Sequence, residues 1–249
     1  MKNKLLEYIL LTTICMTIMI FGDLLEIYVN INNSFSLIFK AIVIVFLIGL
    51  IILKDNYLIE NEEETPNLDE NKITKYDILL ILFIFLISNI LNFAIINQSA
   101  SFINILGGIL NSLTSAVWEG LLFRYLGVEI LGEDGELNKK NFIILILICG
   151  LSHGTGVLLR PNRFLLESIK IVFALSTGTL LLSYFLKTRN IFYTMFLHFI
   201  INYIPIFYST FSNFSSYFGN VVYIILLMLY LCINFFLGIY ITKKYKLIK

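Results

Sequence analysis

Five polar residues of this chain sit where polar residues are costly, inside long apolar runs. Glu119 lies in LTSAVWEGLLFRYLG, with Arg124 five residues on. His153 lies in ILILICGLSHGTGVLL, and His198 lies in FYTMFLHFIINYI. Asn202 follows His198 by four residues, so the two share a helix face. A lone buried His is most often a satisfied core residue. Here the chain has two His, both are apolar-embedded, and a mid-run Glu accompanies them. A carboxylate and an imidazole can share a water and take its proton as it attacks a carbonyl. A second imidazole and a carboxamide can donate hydrogen bonds to the oxyanion that forms. That set describes peptide hydrolysis without a covalent intermediate. The same groups could ligate zinc, but the paired-His helix signature H-E-x-x-H is absent. No cofactor or metal is expected.

The elements that position these residues follow from composition. Of 249 residues, 58% are hydrophobic and 14% charged, with a mean hydropathy of +0.87. Soluble domains run near 45–50% apolar and about 25% charged, so a soluble globular fold is excluded. Net charge is +1, which offers no electrostatic case for nucleic acid. The three cysteines, Cys15, Cys149 and Cys232, all lie in apolar runs and do not form a disulfide framework or a Cys-based zinc site.

A helix needs about 20 mostly apolar residues to cross a bilayer. Eight stretches qualify, at about 5–28, 35–53, 77–97, 102–130, 141–160, 165–186, 190–209 and 219–242. Each must be helical, because lipid gives backbone groups no partners. The expected fold class is therefore an all-α polytopic membrane protein of about eight transmembrane helices, forming a single integral domain over 1–249. The first span has no small-x-small cleavage site and reads as uncleaved. The segment 54–76, with Glu62, Glu63 and Glu64, reads as an acidic cytosolic loop. With the N-terminus inside, 13 of the 18 Lys and Arg fall in cytosolic segments, and Arg160 and Arg163 fall outside. The remaining three, Lys40, Arg124 and Lys170, lie in or near spans. This asymmetry places both termini in the cytosol. Depth then provides a convergence test. At 1.5 Å per residue, Glu119, His153, His198 and Asn202 lie about 17, 18, 12 and 18 Å below the cytosolic ends of their spans. Three helices are expected to deliver polar groups to one layer.

Residues 150–154, GLSHG, formally fit the G-x-S-x-G nucleophile elbow. That motif needs a strand-turn-helix in an α/β sheet, whereas this one lies in an apolar span. Ser152 is therefore not expected to be a nucleophile. Glu167, Arg163 and Lys170 read as a local ion-pair cluster at helical spacing.

Three ordered motifs, EGLLFR at 119–124, CGLSH at 149–153 and HFIIN at 198–202, resemble the CPBP family. It groups the glutamate-dependent CAAX prenyl endopeptidases with bacteriocin-processing and self-immunity (Abi) proteins. The family pattern reads E-E-x-x-x-R, then F-x-x-x-H, then H-x-x-x-[ND]. The resemblance covers about residues 105–205. It implies a CAAX-prenyl-protease-like helical bundle and an intramembrane glutamic-type endopeptidase in a bacterial-type cell membrane. Glu119 and His153 would activate the water, His198 and Asn202 would form the oxyanion site, and Arg124 would hold the motif helix. The implied partners are the lipid bilayer and a membrane-associated peptide, prenylated protein or bacteriocin peptide. Two positions depart from the pattern. Gly120 replaces the second Glu, and Cys149 replaces the Phe. The alternatives are a non-catalytic bacteriocin self-immunity or scaffold protein of the same fold, which Gly120 favours, and a small transporter, for which no internal repeat is found.

Overall fold

The computed structural model describes residues 2–28, 102–133, 136–154, 157, 164–206 and 217–249, with the isolated helical positions 42, 45, 49 and 79. The spans expected at 35–53 and 77–97, the acidic loop, Lys40, Arg160 and Arg163 otherwise lie outside the described residues.

The apolar runs form helices: α1 Lys2–Tyr28, α2 Phe102–Glu119, α3 Gly127–Leu131, α4 Lys139–Ser152, α5 Phe164–Thr188, α6 Ile191–Ile206 and α7 Tyr217–Lys244. Between α2 and α3 the chain winds as a seven-residue π-helix, Gly120–Leu126. Among the described residues the only β contacts are two isolated bridges, Glu133 with Glu136 and Leu137 with Ile248. The all-α expectation therefore holds for the described residues. Within α5, Glu167–Thr188 is a 22-residue stretch long and apolar enough to cross a membrane. Ile191–Asn202 in α6 is a shorter apolar helix.

Two boundaries differ from the expected spans. The stretch 102–130 is not one α-helix, because the π segment interrupts it. The stretch 141–160 is not one helix either. α4 ends at Ser152, and His153 caps it with φ −76° and ψ −10°. Bonds of the tighter i→i−3 type close the end, from the His153 amide to the Gly150 carbonyl at 3.2 Å and from the Gly154 amide to the Leu151 carbonyl at 2.8 Å. The weak helix formers Gly154 and Gly156 follow, so continuation is disfavoured.

The chain divides into two compact units. One comprises Met1–Met16, Glu119–Thr194 and Ser212–Lys249; the other comprises Thr17–Trp118 and Met195–Phe211. In the first unit α5 packs along α7 and against α4. The α5–α7 seam is built from small and hydroxyl residues, which allow helix backbones to approach closely in lipid. Ser176 Oγ donates to the Leu231 carbonyl, and the Ser183 and Thr242 hydroxyls meet at 2.7 Å. At Gly238 a Cβ would stand 2.8 Å from the Leu180 nitrogen and 2.9 Å from its Cα. Only glycine fits there without moving a backbone. Leu180, Leu181, Tyr184, Leu145 and Phe123 fill the core around this seam. Outward from it, α7 exposes Ile225, Leu229, Ile233 and Phe236, an apolar face suited to lipid.

The connector between α3 and α4 is tied down at several points. Asn138 caps α4 by accepting from the Asn141 amide at 2.8 Å, and Asn141 Nδ2 donates to the Leu131 carbonyl at 2.7 Å. The segment after α7 pairs with this connector. The Lys139 amide donates to the Lys249 carbonyl, and the Lys249 amide to the Leu137 carbonyl, both at 3.0 Å. Lys249 Nζ forms an ion pair with Glu136.

Candidate active site

The first polar set lies where α2 gives way to the π segment. In an α-helix, residues five apart point about 140° away from each other. A π-helix bonds residue i to i+5, so the fifth residue on returns to the same side. Glu119 and Arg124 have that spacing, and Arg124 Nη1 stands 3.8 Å from Glu119 Oε2. Both are buried, with 8% of Glu119 and 1% of Arg124 exposed. The π backbone is braced from α1, where the buried Tyr8 hydroxyl donates to the Leu122 carbonyl at 3.3 Å.

His153 comes to the other carboxylate oxygen. Its Nε2 lies 3.7 Å from Glu119 Oε1. The tight end of α4 holds the ring there, with 32% of the side chain exposed. The Glu119 carboxylate is thus flanked by a fully buried guanidinium on one oxygen and a partly open imidazole on the other. Cys149, one turn before His153, is a buried free thiol. Together with Arg124, Phe123, Gly178 and Leu182 it lines a narrow crevice.

The second polar set is built on α6 and α2. Asn202 Nδ2 lies 3.1 Å from His198 Nε2, as their four-residue spacing implies. The same nitrogen donates to Ser115 Oγ at 3.2 Å, and Ser112 Oγ donates to the Asn202 main-chain carbonyl at 3.2 Å. His198 is buried and Asn202 half-buried.

Five residues singled out by sequence therefore fall into two sets: Glu119, Arg124 and His153, and His198 with Asn202. Ser112, Ser115 and Tyr8 were not foreseen. Nothing in their types separates them from the other hydroxyls of apolar helices. The one available signal is that Ser112 and Ser115, three apart, precede Glu119 on the same stretch. Ser152 donates its hydroxyl to the Cys149 carbonyl of its own helix at 2.7 Å. Lys170 pairs with Glu167 at 2.9 Å, as its spacing suggests. Among the described residues no three His, Cys, Asp or Glu side chains gather as a metal-ligating set.

A buried carboxylate and the partly open imidazole beside it can act together on a shared water. The comparison with known proteins agrees. Residues 100–204 match the family model described as Type II CAAX prenyl endopeptidase Rce1-like. This match spans all three motifs and bears out the resemblance read from them. The matched segment is similar to that endopeptidase family over 105 of the 249 residues. No curated protein and no solved structure gives a match.

Proposed function

We propose that the chain is an intramembrane glutamic-type endopeptidase that hydrolyses a peptide bond in a membrane-associated peptide or prenylated protein. The observation that carries this reading is the Glu119–His153 pair at 3.7 Å, set beside the buried Arg124. A separation of 3.7 Å is too long for a direct hydrogen bond. It still allows one water to lie within hydrogen-bond reach of both groups.

In the proposed reaction, Glu119 and His153 take a proton from that water as its oxygen bonds to the scissile carbonyl carbon. The carbonyl oxygen becomes an oxyanion, stabilised by the His198 and Asn202 pair. The carbonyl then re-forms, the C–N bond breaks, and the proton held by the Glu119–His153 pair passes to the leaving amine. Arg124 keeps the carboxylate in place and offsets its charge. The polytopic arrangement with about eight spans and cytosolic termini belongs to the same proposal. It puts the site within reach of a peptide tail at the cytosolic leaflet.

Cleavage tests the reading. Purified protein in lipid nanodiscs is given a peptide ending in a prenylated Cys and three further residues, and the products are read by mass spectrometry. Release of the tripeptide, abolished in Glu119→Gln, supports the proposal. Release at an unchanged rate in a folded Glu119→Gln variant overturns it. The second reading, a non-catalytic immunity or scaffold protein, rests on Gly120 in place of the motif's second Glu. It requires protection of cells against a bacteriocin that survives Glu119→Gln.

A further inference from the structure

The polar set on α6 leads beyond the pairing of His198 with Asn202. A carboxamide nitrogen carries two hydrogens. Asn202 Nδ2 spends one on Ser115 Oγ at 3.2 Å and directs the other at His198 Nε2, 3.1 Å away. An imidazole nitrogen that accepts a hydrogen bond is bare, so the proton of the neutral ring lies on the other nitrogen. Ser112 adds a second hold by donating to the Asn202 main-chain carbonyl.

We infer that Ser115 is a positioning residue: its hydroxyl orients the Asn202 carboxamide so that nitrogen, not oxygen, faces His198, and this fixes His198 as the Nδ1–H tautomer. The inference rests on the proposed hydrolysis and divides the labour within its oxyanion side. His198 offers its Nδ1 proton to the developing oxyanion. Asn202 Nδ2, held between Ser115 and His198, sets the ring with which it forms the oxyanion site. A hydroxyl is suited to the task because it accepts from the amide nitrogen and can still donate elsewhere. Alanine at 115 removes the hydroxyl that holds the carboxamide nitrogen in this place.

The tautomer is readable without substrate. The chain has only two His, so ring ¹⁵N signals from histidine-labelled protein in nanodiscs fall into two sets, and His153→Gln identifies those of His198. The expected result is a protonated Nδ1 and a bare Nε2 at His198. Ser115→Ala gives a mixture of the two tautomers, and Ser115→Thr, which keeps the hydroxyl, restores the single form. Kinetically, Ser115→Ala lowers kcat by up to about tenfold, the scale of one hydrogen bond, with KM unchanged. Ser115→Thr recovers it. A protonated Nε2 in the unaltered protein overturns the inference, as does a His198 ring pattern that Ser115→Ala leaves unchanged. Failure of the hydrolase reading looks different: Glu119→Gln keeps its turnover while the His198 ring pattern follows Ser115 as stated.

Discussion

Arg124 Nη1 stands 3.8 Å from Glu119 Oε2 across five residues of sequence, a pairing made possible by the π winding of Gly120–Leu126. The π segment is therefore a means of turning an E-x-x-x-x-R spacing into a contact. Removing one partner of a buried pair leaves the other charge uncompensated, at a cost of about 3–5 kcal/mol. Arg124→Gln is expected to destabilise by that order, read as a lower thermal midpoint in detergent. Adding Glu119→Gln to it recovers much of the loss, because the stranded charge is gone. Strictly additive losses would show that the two side chains do not interact.

Packing of α5 on α7 makes a sharper structural prediction. Gly238→Ala puts a Cβ within 2.9 Å of Leu180 backbone atoms, so the helices must separate. Overpacking of this kind costs about 1–3 kcal/mol. Gly178→Ala is the matched control, since its Cβ meets only the Cys149 side chain, Sγ at 3.5 Å and Cβ at 3.9 Å, ordinary contacts. Thermal midpoints are expected to fall for Gly238→Ala and to hold for Gly178→Ala. Equal midpoints would contradict the close seam.

The clasp between the α3–α4 connector and the segment after α7 responds to pH. The hydrogen bond from Lys249 and its positive charge hold the Glu136 carboxyl below the usual carboxylate range. A carboxyl whose value is depressed on folding adds stability above its unfolded value, and loses it as pH falls through the folded one. Exchange protection of the Lys139 and Lys249 amides, which pair with Lys249 and Leu137, is expected to drop on acidification below about pH 4, the unperturbed carboxylate value. Glu136→Gln removes that pH step. A step that persists in the variant belongs to another group.

His153 holds the partly open position beside the carboxylate, with 32% of its side chain exposed. His153→Ala is therefore expected to leave the thermal midpoint nearly unchanged. Loss of general base assistance should lower turnover by about 10²–10⁴-fold. A variant that melts early but turns over normally per folded molecule would make the residue structural.

The catalytic candidates were legible because polar residues in apolar runs stand out. Glu119, His153, His198 and Asn202 needed only residue type and spacing, and the length of α5 needed only hydropathy. The π winding was not legible. GLLFRYL is as apolar as the α-helical sequence around it, and only the backbone shows the extra residue per turn. The end of α4 at Ser152 was hidden in the same way, because apolar residues resume at Val157 after the glycines. Ser112 and Ser115 carry no signal of their own. Their role exists only once α2 and α6 lie side by side within their unit.

The most direct test of the central claim is peptide cleavage by the Glu119→Gln protein, an isosteric change that removes the base and keeps the shape. With equal amounts of folded protein in nanodiscs, the single-turnover rate on the prenylated peptide is expected to fall by at least about 10²-fold. A Glu119→Gln rate equal to that of the unaltered protein would contradict it.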